Sequence, residues 1–366
     1  MNVKRCDIIL PTCGQTALIK DCIESLIKST RYPVRLIAID NGASEEASSY
    51  LKEVSGSGRL DMVLIKPPEN LGWIRSINEG LALSKDSEFV SFQNDDTVFA
   101  SGWMEELSDV FAKDAGIGIA NPEWELPEGQ DVETRAGELK KYAGQTVDMD
   151  WCRGHCLVVK REVVDKIGGL DPVYIPVYYD DRDYSLKAIE AGYRCVKAKG
   201  AFVYHIRNVT MKKTMHQQKI SALMERNGRI FYKRWGYPLR VVFALSDLAG
   251  SKGILRKMCM DQNKVVVLSR KGDKVPYEHT NIKILGFPGA FFGIAALLYI
   301  MSNRSRKHQK KTDFIFTDDR RFYSFLKPFM RFIPADVIFR DSVASLAEEA
   351  VRLTKEKKGK DKGSIV

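Results

Sequence analysis

Short apolar runs alternate with amphipathic helical windows through about the first 120 residues, and this alternation restricts the fold more than any other feature. In the first helical window, Leu18, Cys22 and Leu26 recur at the spacing of one helix face. Alternation of this kind predicts an α/β domain with a mostly parallel sheet flanked by helices. The predicted strands are 7–10, 35–40, 61–66 and 88–93, and the predicted helices are 18–29, 73–84 and 103–113.

The regular pattern is lost between Glu123 and Asp150, a polar stretch with several prolines and glycines that predicts a long loop or a hairpin insertion. It returns with a strand at 156–160, a helix at 161–169 and a strand at 201–205.

A second, smaller α/β unit is predicted to begin near Ser246. Its expected strands are 264–269, 282–287, 313–317 and 336–339, with helices at 288–301 and 320–332. The predicted organisation is therefore a first domain over 1–245, an accessory or partial second domain over 246–352, and a Lys-rich disordered tail over 353–366.

Charge and cysteine content limit the partners and the compartment. Lys and Arg number 57 against 47 Asp and Glu, and this excess predicts an anionic partner without naming it. The seven cysteines are an odd, scattered set, which argues against a disulfide framework and favours a reducing, cytoplasmic setting. The uncharged stretch 287–301 would span roughly 22 Å as a helix, less than the roughly 30 Å of a bilayer core. A buried helix and a helix in the membrane interface both remain open.

Polar side chains follow three of the predicted strands, where parallel sheets bind their ligands. Asn94, Asp95 and Asp96 come after the fourth strand, and hard divalent cations such as Mn²⁺ or Mg²⁺ prefer such oxygen ligands. Asp40 follows the second strand and could accept hydrogen bonds from a ribose, while His205 ends a later strand and could complete a metal site. Turn formation by the Asn and Asp residues, and a structural histidine, are the alternatives.

A second acidic cluster, Asp180, Asp181 and Asp183, stands between an aromatic run and a helical pattern. A solvated helix start is the common explanation of such a cluster. Asp183 is expected to cap the helix. Asp181 is expected in the first helical turn, where the helix dipole would keep its carboxylate ionised near neutral pH.

Seven segments occur in order along the chain: ILPTCG, LIAIDNGAS, PENLGWIRSINEGL, FVSFQNDDTVFASGWMEEL, RGHCLVVKREVVDKIGGLDPVY, YDDRDYSLKAIEAGY and AFVYHIRN. Taken together, these segments resemble family 2 glycosyltransferases over about residues 3–235. The resemblance implies a GT-A fold and an inverting, metal-dependent transfer of a sugar from a nucleotide-diphosphate donor, such as a UDP- or dTDP-sugar. The acceptor would be a hydroxyl of a saccharide or lipid-linked saccharide in bacterial O-antigen, capsule or other polysaccharide synthesis, and not a nucleic acid.

The resemblance also implies roles for individual residues. The implied nucleotide-sugar contacts are Thr12, Asp40, Asn94 and Asp95, the metal ligands Asp96 and His205, the catalytic base Asp181, and its motif neighbour Asp180.

Other candidates rest on position in the sequence. Trp73 and Arg75 are candidates for the donor, and Trp151, Arg153 and Tyr179 for the acceptor. The alternative is that these residues have no role in binding: the aromatic side chains would pack in the core, and the arginines would lie exposed on the surface.

Three positions depart from the family pattern. Asn94 replaces the first acid of an Asp-x-Asp motif, Asp180 replaces a Glu, and Gly14 stands where an Asn is common. Asn94 is also the one feature that favours a non-catalytic subunit of a polysaccharide synthase. A sugar nucleotidyltransferase is disfavoured because the first strand is not followed by a Gly-rich, Arg-containing loop. Two alternatives stay open for the second unit. Its strand and helix order is compatible with the first half of a GT-B-type nucleotide-sugar domain, or residues 286–311 dock the protein peripherally on the inner face of the cell membrane.

Overall fold

The computed structural model describes residues 3–13, 15–206, 217–302 and 311–363. Gly14 and most of the basic run 303–311 lie outside the described residues, so the expectations placed on them remain predictions. The chain divides into two compact units, Met1–Gly228 and Arg229–Val366.

The first unit is built on a nine-stranded mixed sheet with the order β3-β2-β1-β4-β8-β6-β9-β5 and β7 paired to β9. Its first four strands run parallel, β8 is antiparallel to both of its neighbours, and β9 is parallel to β6. The strands are β1 (Val3–Thr12), β2 (Val34–Asp40), β3 (Met62–Ile65), β4 (Ser87–Gln93), β5 (Thr97–Phe99), β6 (Ile117–Glu123), β7 (Thr146–Met149), β8 (Cys156–Lys160) and β9 (Arg194–His205).

Helices cover this sheet and bury one apolar face each. In the first of them Ile19, Cys22, Ile23 and Leu26 are buried, the set that its sequence periodicity predicts. The helices are α1 (Thr16–Ser29), α2 (Glu45–Gly56), α3 (Gly72–Leu83), α4 (Trp103–Lys113), α5 (Val132–Leu139), α6 (Arg161–Ile167) and α7 (Asp180–Glu190), followed by α8 (Gln217–Trp235), which crosses into the second unit.

The stretch between Glu123 and Asp150 is more regular than predicted. It contains α5 and β7, whereas the sequence predicted a long loop or a hairpin. Asp131 caps α5 by accepting a 2.9 Å hydrogen bond from the Thr134 amide. The helix has eight residues and buries only Ala136 and Leu139, so its sequence carries little periodicity.

The second unit is a three-layer α/β structure, as predicted. Its five strands are all parallel in the order β12-β11-β10-β13-β14. Helices α9 and α12 pack on one face of this sheet, and α10 and α11 pack on the other. The elements are β10 (Arg240–Ala244), α9 (Lys252–Met260), β11 (Lys264–Arg270), β12 (Ile282–Phe287), α10 (Phe292–Ser302), β13 (Phe314–Thr317), α11 (Arg320–Leu326), β14 (Asp336–Phe339) and α12 (Val343–Gly363).

Two expectations about this unit need correction. The predicted boundary at residue 245 falls too late, because β10 is the central strand of the second sheet and pairs with both β11 and β13. The tail predicted to be disordered is helical as far as Gly363, because Leu346, Ala350 and Thr354 recur every four residues and are buried. Lys357 adds an ion pair at 2.8 Å to Asp313.

Among the described helices, none combines the length and the apolar character that a membrane span requires.

Candidate active site

A cavity of about 830 Å³ opens in the first unit where the loops after β1 and β4 meet. The chain leaves these neighbouring parallel strands in different directions along the sheet, because β1 is followed by β2 on one side, whereas β4 is followed by β5 and β6 on the other. Open α/β sheets bind ligands at such a switch point. Both predicted acidic clusters contribute to the cavity wall, with Asp95 and Asp96 from one and Asp180 and Asp181 from the other.

Asp95 joins the two loops. Its carboxylate Oδ2 accepts a 3.1 Å hydrogen bond from the backbone amide of Cys13, and the side chain is buried. Cys13 and Asp95 both line the cavity, so this bond fixes one edge of it.

Strand pairing brings Asp96 and His205 together. In the antiparallel register of β5 and β9, His205 lies opposite Thr97, the residue after Asp96. His205 Nε2 lies 3.2 Å from Asp96 Oδ1 and 3.4 Å from Asn94 Nδ2. The ring of His155 stacks on that of His205, with centroids 4.8 Å apart, and this contact holds the imidazole in place.

Asp96 and His205 fit the requirements of two protein ligands to a divalent cation. Asp96 Oδ1 is buried and, although His205 Nε2 lies 3.2 Å away, that contact lacks hydrogen-bond geometry and the described residues give this oxygen no hydrogen bond. A bound cation would satisfy it. Oxygen and imidazole nitrogen suit Mn²⁺ or Mg²⁺. The described residues contain no group of three or more acidic, His or Cys side chains arranged for a metal, so the remaining ligands would have to come from substrate or water.

Asp180 is buried at the start of α7 and has one strong side-chain partner. Its Oδ2 accepts a 2.8 Å hydrogen bond from the indole N–H of Trp73 in α3. Burial, and then the negative charge of Asp181, raise the pKa of Asp180 to about 7. This carboxyl therefore changes its charge near neutral pH.

Asp181 is half-buried and held by two backbone amides. Its Oδ1 accepts from Arg182 N at 2.8 Å and its Oδ2 from Gly154 N at 3.2 Å. Burial raises the pKa of Asp181, although these amides and the charges of Arg182 and Arg153 oppose the shift. The expectation that the helix dipole keeps Asp181 ionised near neutral pH stays a prediction, and desolvation by burial works against it at this position.

The segment that leads into α7 has an unusual backbone. Tyr178 and Tyr179 have positive φ angles of 78° and 71°, which are uncommon for residues with a side chain. Asn227 of α8 is fully buried, and its Nδ2 donates to the carbonyls of Tyr174, Val177 and Tyr178. This single amide thus secures the turn that presents Asp180 and Asp181 to the cavity.

Asp183 is structural, but it does not cap the helix. Its carboxylate accepts a 3.1 Å hydrogen bond from the Tyr174 hydroxyl and lies 3.0 Å from Lys187 Nζ. It is buried and turned away from the cavity wall, because a residue two positions after Asp181 projects from another face of the helix.

The predicted acceptor residues all line the cavity, since Trp151, Arg153 and Tyr179 contribute to its wall. Trp73 and Asn94 do so as well. These residues come from separate parts of the chain, and the fold brings them to one place.

Three predicted donor contacts are not part of the wall. Thr12 is fully buried and donates to the Ile39 carbonyl at 3.1 Å. Asp40 is buried, accepts from Ala43 N at 3.1 Å and lies 3.2 Å from Lys66 Nζ. Arg75 is 55% exposed, with Glu69 4.0 Å away. A direct contact of Thr12, Asp40 or Arg75 with a nucleotide remains a prediction without support from this geometry.

The sequence did not single out several other residues of the wall. The signals were weak: Cys13 and Asn41 adjoin predicted residues, whereas Trp124 lies in the stretch predicted as a loop. His155 and Arg182 stand inside quoted motifs, where nothing distinguished them from their neighbours. These residues are Cys13, Asn41, Trp124, His155 and Arg182.

An acidic cavity at the switch point of a mostly parallel sheet defines an α/β ligand-binding domain. Residues 7–168 match the model of the family described as Glycosyl transferase family 2, the family that the sequence motifs resemble. The match runs from β1 through α6 and ends before Asp180.

Two curated relatives each align with about half of the chain. The uncharacterized protein y4gI of Sinorhizobium fredii is 27% identical over 230 residues, which are 54% of this chain and 24% of the relative. The O-antigen biosynthesis protein RfbC of Myxococcus xanthus is 24% identical over 231 residues, or 54% of this chain and 17% of that protein. The chain thus spans about a quarter or less of these relatives.

Similar solved structures include a mannosyltransferase, PcManGT from Pyrobaculum calidifontis, in complex with GDP-Man and Mn²⁺. The two structures superpose with a TM-score of 0.46 at 16% sequence identity, and the alignment covers 64% of each chain. Residues 1–349 of S. aureus TarS in complex with UDP-GlcNAc have a TM-score of 0.48 at 13% identity, covering 64% of this chain and 66% of that one.

Proposed function

We propose that the first unit is an inverting glycosyltransferase that moves a sugar from a nucleotide-diphosphate donor to a hydroxyl of a saccharide or a lipid-linked saccharide. The observation that carries the proposal is that Asp96 and His205 share one cavity with the buried pair Asp180 and Asp181. Asp96 and His205 suit stabilisation of the charged leaving group. Asp180 and Asp181 suit removal of a proton from the acceptor hydroxyl.

Asp181 is the proposed general base. Two backbone amides hold its carboxylate in a fixed orientation. Its raised pKa makes it a better proton acceptor near neutral pH than an exposed aspartate would be. Asp180 lies beside it, and the negative charge of Asp181 contributes to the raised pKa of Asp180.

Asp96 and His205 would hold the Mn²⁺ or Mg²⁺ that the family resemblance implies. When bound, such an ion neutralises negative charge on the diphosphate of the donor. Asp95 ties the loop of Cys13 to the same edge of the cavity, and we propose that this edge takes the nucleotide diphosphate.

The decisive variant is Asp181→Asn, which keeps the size of the side chain and an oxygen that can accept from a backbone amide. With a panel of UDP- and dTDP-sugars, saccharide acceptors and Mn²⁺, the wild-type protein should form product and release nucleoside diphosphate. The variant should lose transfer at least about a hundredfold, the usual contribution of a general base. Binding of nucleoside diphosphate, measured by calorimetry, should persist.

A matched control is Asp165→Asn on α6, because Asp165 is 64% exposed and does not line the cavity. Full turnover by Asp181→Asn would show that Asp181 is not the general base. Absence of turnover and of donor binding in the wild type would overturn the proposed function and favour a non-catalytic subunit.

We propose that the second unit brings the enzyme to an anionic membrane, where a lipid-linked acceptor of cell-surface polysaccharide synthesis would be found. The support is an apolar stripe on and beside α10: Phe291, Ile294 and Leu298 follow one helix face and are 64%, 55% and 64% exposed. The stripe continues towards α11, because the Phe325 ring lies 3.3 Å from the position of a Cβ on Gly293.

The charge around the stripe fits an anionic bilayer. Helices α10 and α11 carry no acidic residue, while Arg320 and Arg321 on α11 are exposed. Lys327 and Arg331 follow in the next turn beside the exposed Phe329 and Phe332. Apolar side chains ringed by basic ones are the pattern of interfacial helices.

Vesicle sedimentation tests this docking. The double change Ile294→Gln and Leu298→Gln should reduce binding to vesicles that contain phosphatidylglycerol, and purely zwitterionic vesicles should bind the wild type weakly. Ile284→Gln is the control, because Ile284 is 48% exposed on β12 and alternates with Leu285, which packs towards α10. Equal binding by the double variant and the wild type would refute the docking proposal.

A further inference from the structure

Five side chains form an alternating aromatic and arginine ladder on the cavity wall beside Asp181. The Arg153 guanidinium lies 4.9 Å from the ring centroid of Trp124 and 5.0 Å from that of Trp151. The Arg182 guanidinium lies 5.3 Å from the centroid of Trp151 and 5.5 Å from that of Tyr179. All five residues line the cavity.

Stacking fixes the Arg153 guanidinium without using its hydrogen-bonding capacity. The aromatic ring contacts the flat face of the guanidinium. The N–H donors lie in the plane of the guanidinium and point away from the ring. The described residues offer this group neither an ion pair nor a hydrogen bond, and the side chain is exposed. Its five donors are therefore available to a ligand in the cavity.

The position of the ladder relates it to the acceptor. Gly154, the residue after Arg153, donates its amide to Asp181 Oδ2, and Arg182 directly follows Asp181. Both cations are close enough to act on the charge of Asp181. The Trp124 end of the ladder approaches the proposed metal ligand His205 through His155, whose ring contacts Trp124 and stacks on His205, whereas the Arg153 and Arg182 end adjoins Asp181. A ligand held by the ladder would thus present its hydroxyl to Asp181.

We propose that Arg153, clamped between Trp124 and Trp151, forms an anion-binding subsite that selects acceptors carrying a phosphate or carboxylate close to the reacting hydroxyl. A guanidinium pairs in bidentate fashion with either anion, and an indole face packs against the apolar face of a sugar ring. This inference rests on the proposed function, because it assigns the charge of the acceptor in the reaction that Asp181 would assist.

The test is a binding titration that needs no turnover. Tryptophan fluorescence is followed while glucuronate, glucose 6-phosphate or glucose is added, because Trp124 and Trp151 report directly on the subsite. Glucuronate, glucose 6-phosphate or both should bind the wild type at least about tenfold more tightly than glucose, as expected for a charge-assisted hydrogen bond. The two anionic probes distinguish a carboxylate from a phosphate site.

Arg153→Gln should abolish the preference for the anionic probes, and Arg153→Lys should restore only part of it, because an ammonium group cannot form the bidentate pair. Arg31→Gln, an exposed arginine outside the cavity, is the control and should bind as the wild type does. Equal affinity for glucose and the anions, or undiminished anion binding by Arg153→Gln, would overturn the proposal.

The outcome is separable from that of the proposed function. Release of nucleoside diphosphate by the wild-type protein tests the transferase activity independently of these titrations. Anion binding that depends on Arg153 in a protein that turns over no donor would retain the subsite and reject the transferase.

Discussion

The indole N–H of Trp73 donates a 2.8 Å hydrogen bond to Asp180 Oδ2, although the two residues are 107 positions apart in the sequence. Trp73 lies in the first turn of α3 and Asp180 begins α7, so the bond joins two walls of the cavity. A donor to a carboxylate favours its ionised form, and this bond therefore opposes the rise in pKa that burial causes.

Replacing Trp73 with Phe should move the pH dependence of transfer to higher pH. In the wild type, Asp180 has a pKa of about 7, so activity that requires the ionised pair should fall as pH decreases through neutrality. Loss of a hydrogen bond worth about 1 kcal/mol should raise the midpoint by up to about one pH unit. The measurement is the initial rate between pH 5 and pH 9.

Trp103→Phe is the matched control for this change, because Trp103 donates an equally short 2.8 Å bond to Thr30 Oγ1 outside the cavity. Its midpoint should equal that of the wild type. A Trp73→Phe profile that coincides with the wild-type profile would show that the bond does not influence the titrating group.

The stability of the protein should also depend on Asp180. The folded pKa is about 7 and the unfolded value is 3.8, so the folded state binds the extra proton between these values. The free energy of unfolding therefore decreases as pH rises from about 4 to about 7. Asp180→Asn removes this titration, and its melting temperature should fall less than that of the wild type between pH 5 and pH 8. Parallel curves for the two proteins would contradict the raised pKa.

Metal binding should be tighter when a nucleotide is bound. If Asp96 and His205 are the protein ligands, as proposed, Mn²⁺ alone should raise the melting temperature slightly, and Mn²⁺ with UDP should raise it more than UDP alone. His205→Gln and Asp96→Asn should each lose the increment due to Mn²⁺ while retaining that due to UDP. An undiminished Mn²⁺ increment in both variants would place the ion elsewhere.

Asn227→Ala should destabilise the first unit, although Asn227 itself does not line the cavity. The change leaves the carbonyls of Tyr174, Val177 and Tyr178 without their donor and should cost about 2 to 4 kcal/mol, since unsatisfied buried groups cost roughly 1 to 3 kcal/mol each and some will find water. Urea unfolding measures this cost. Activity per folded molecule should decrease as well, because the strained turn before Asp180 loses its support.

Asn227→Asp is the companion variant, with the same shape but no side-chain donor. It should be at least as destabilising as Asn227→Ala, since a carboxylate would face three carbonyl oxygens. A stability within about 0.5 kcal/mol of the wild type, the usual effect of a neutral surface change, would mean that the three contacts contribute little.

Local pattern was sufficient to predict most of the architecture. In the sequence, buried parallel strands appear as continuous apolar runs, and the helices that cover them show apolar residues every three or four positions. The strands around Ile37 and Phe92 were therefore predictable without any tertiary information. Prediction failed where local signals were weak or misleading. The short helix α5 buries only two residues, and the lysines of α12 resemble a disordered tail although its other face is packed.

By itself, the sequence determined which acids follow which strands, and hence that Asp95, Asp96 and the Asp180–Asp181 pair were candidates for chemistry. Tertiary structure alone decided their surroundings: the 3.2 Å approach of His205 to Asp96, the indole bond to Asp180, and the stacked guanidinium of Arg153. The reason is physical, because strand position depends on local periodicity, whereas desolvation, strand register and side-chain stacking depend on residues distant in the chain that only folding brings together.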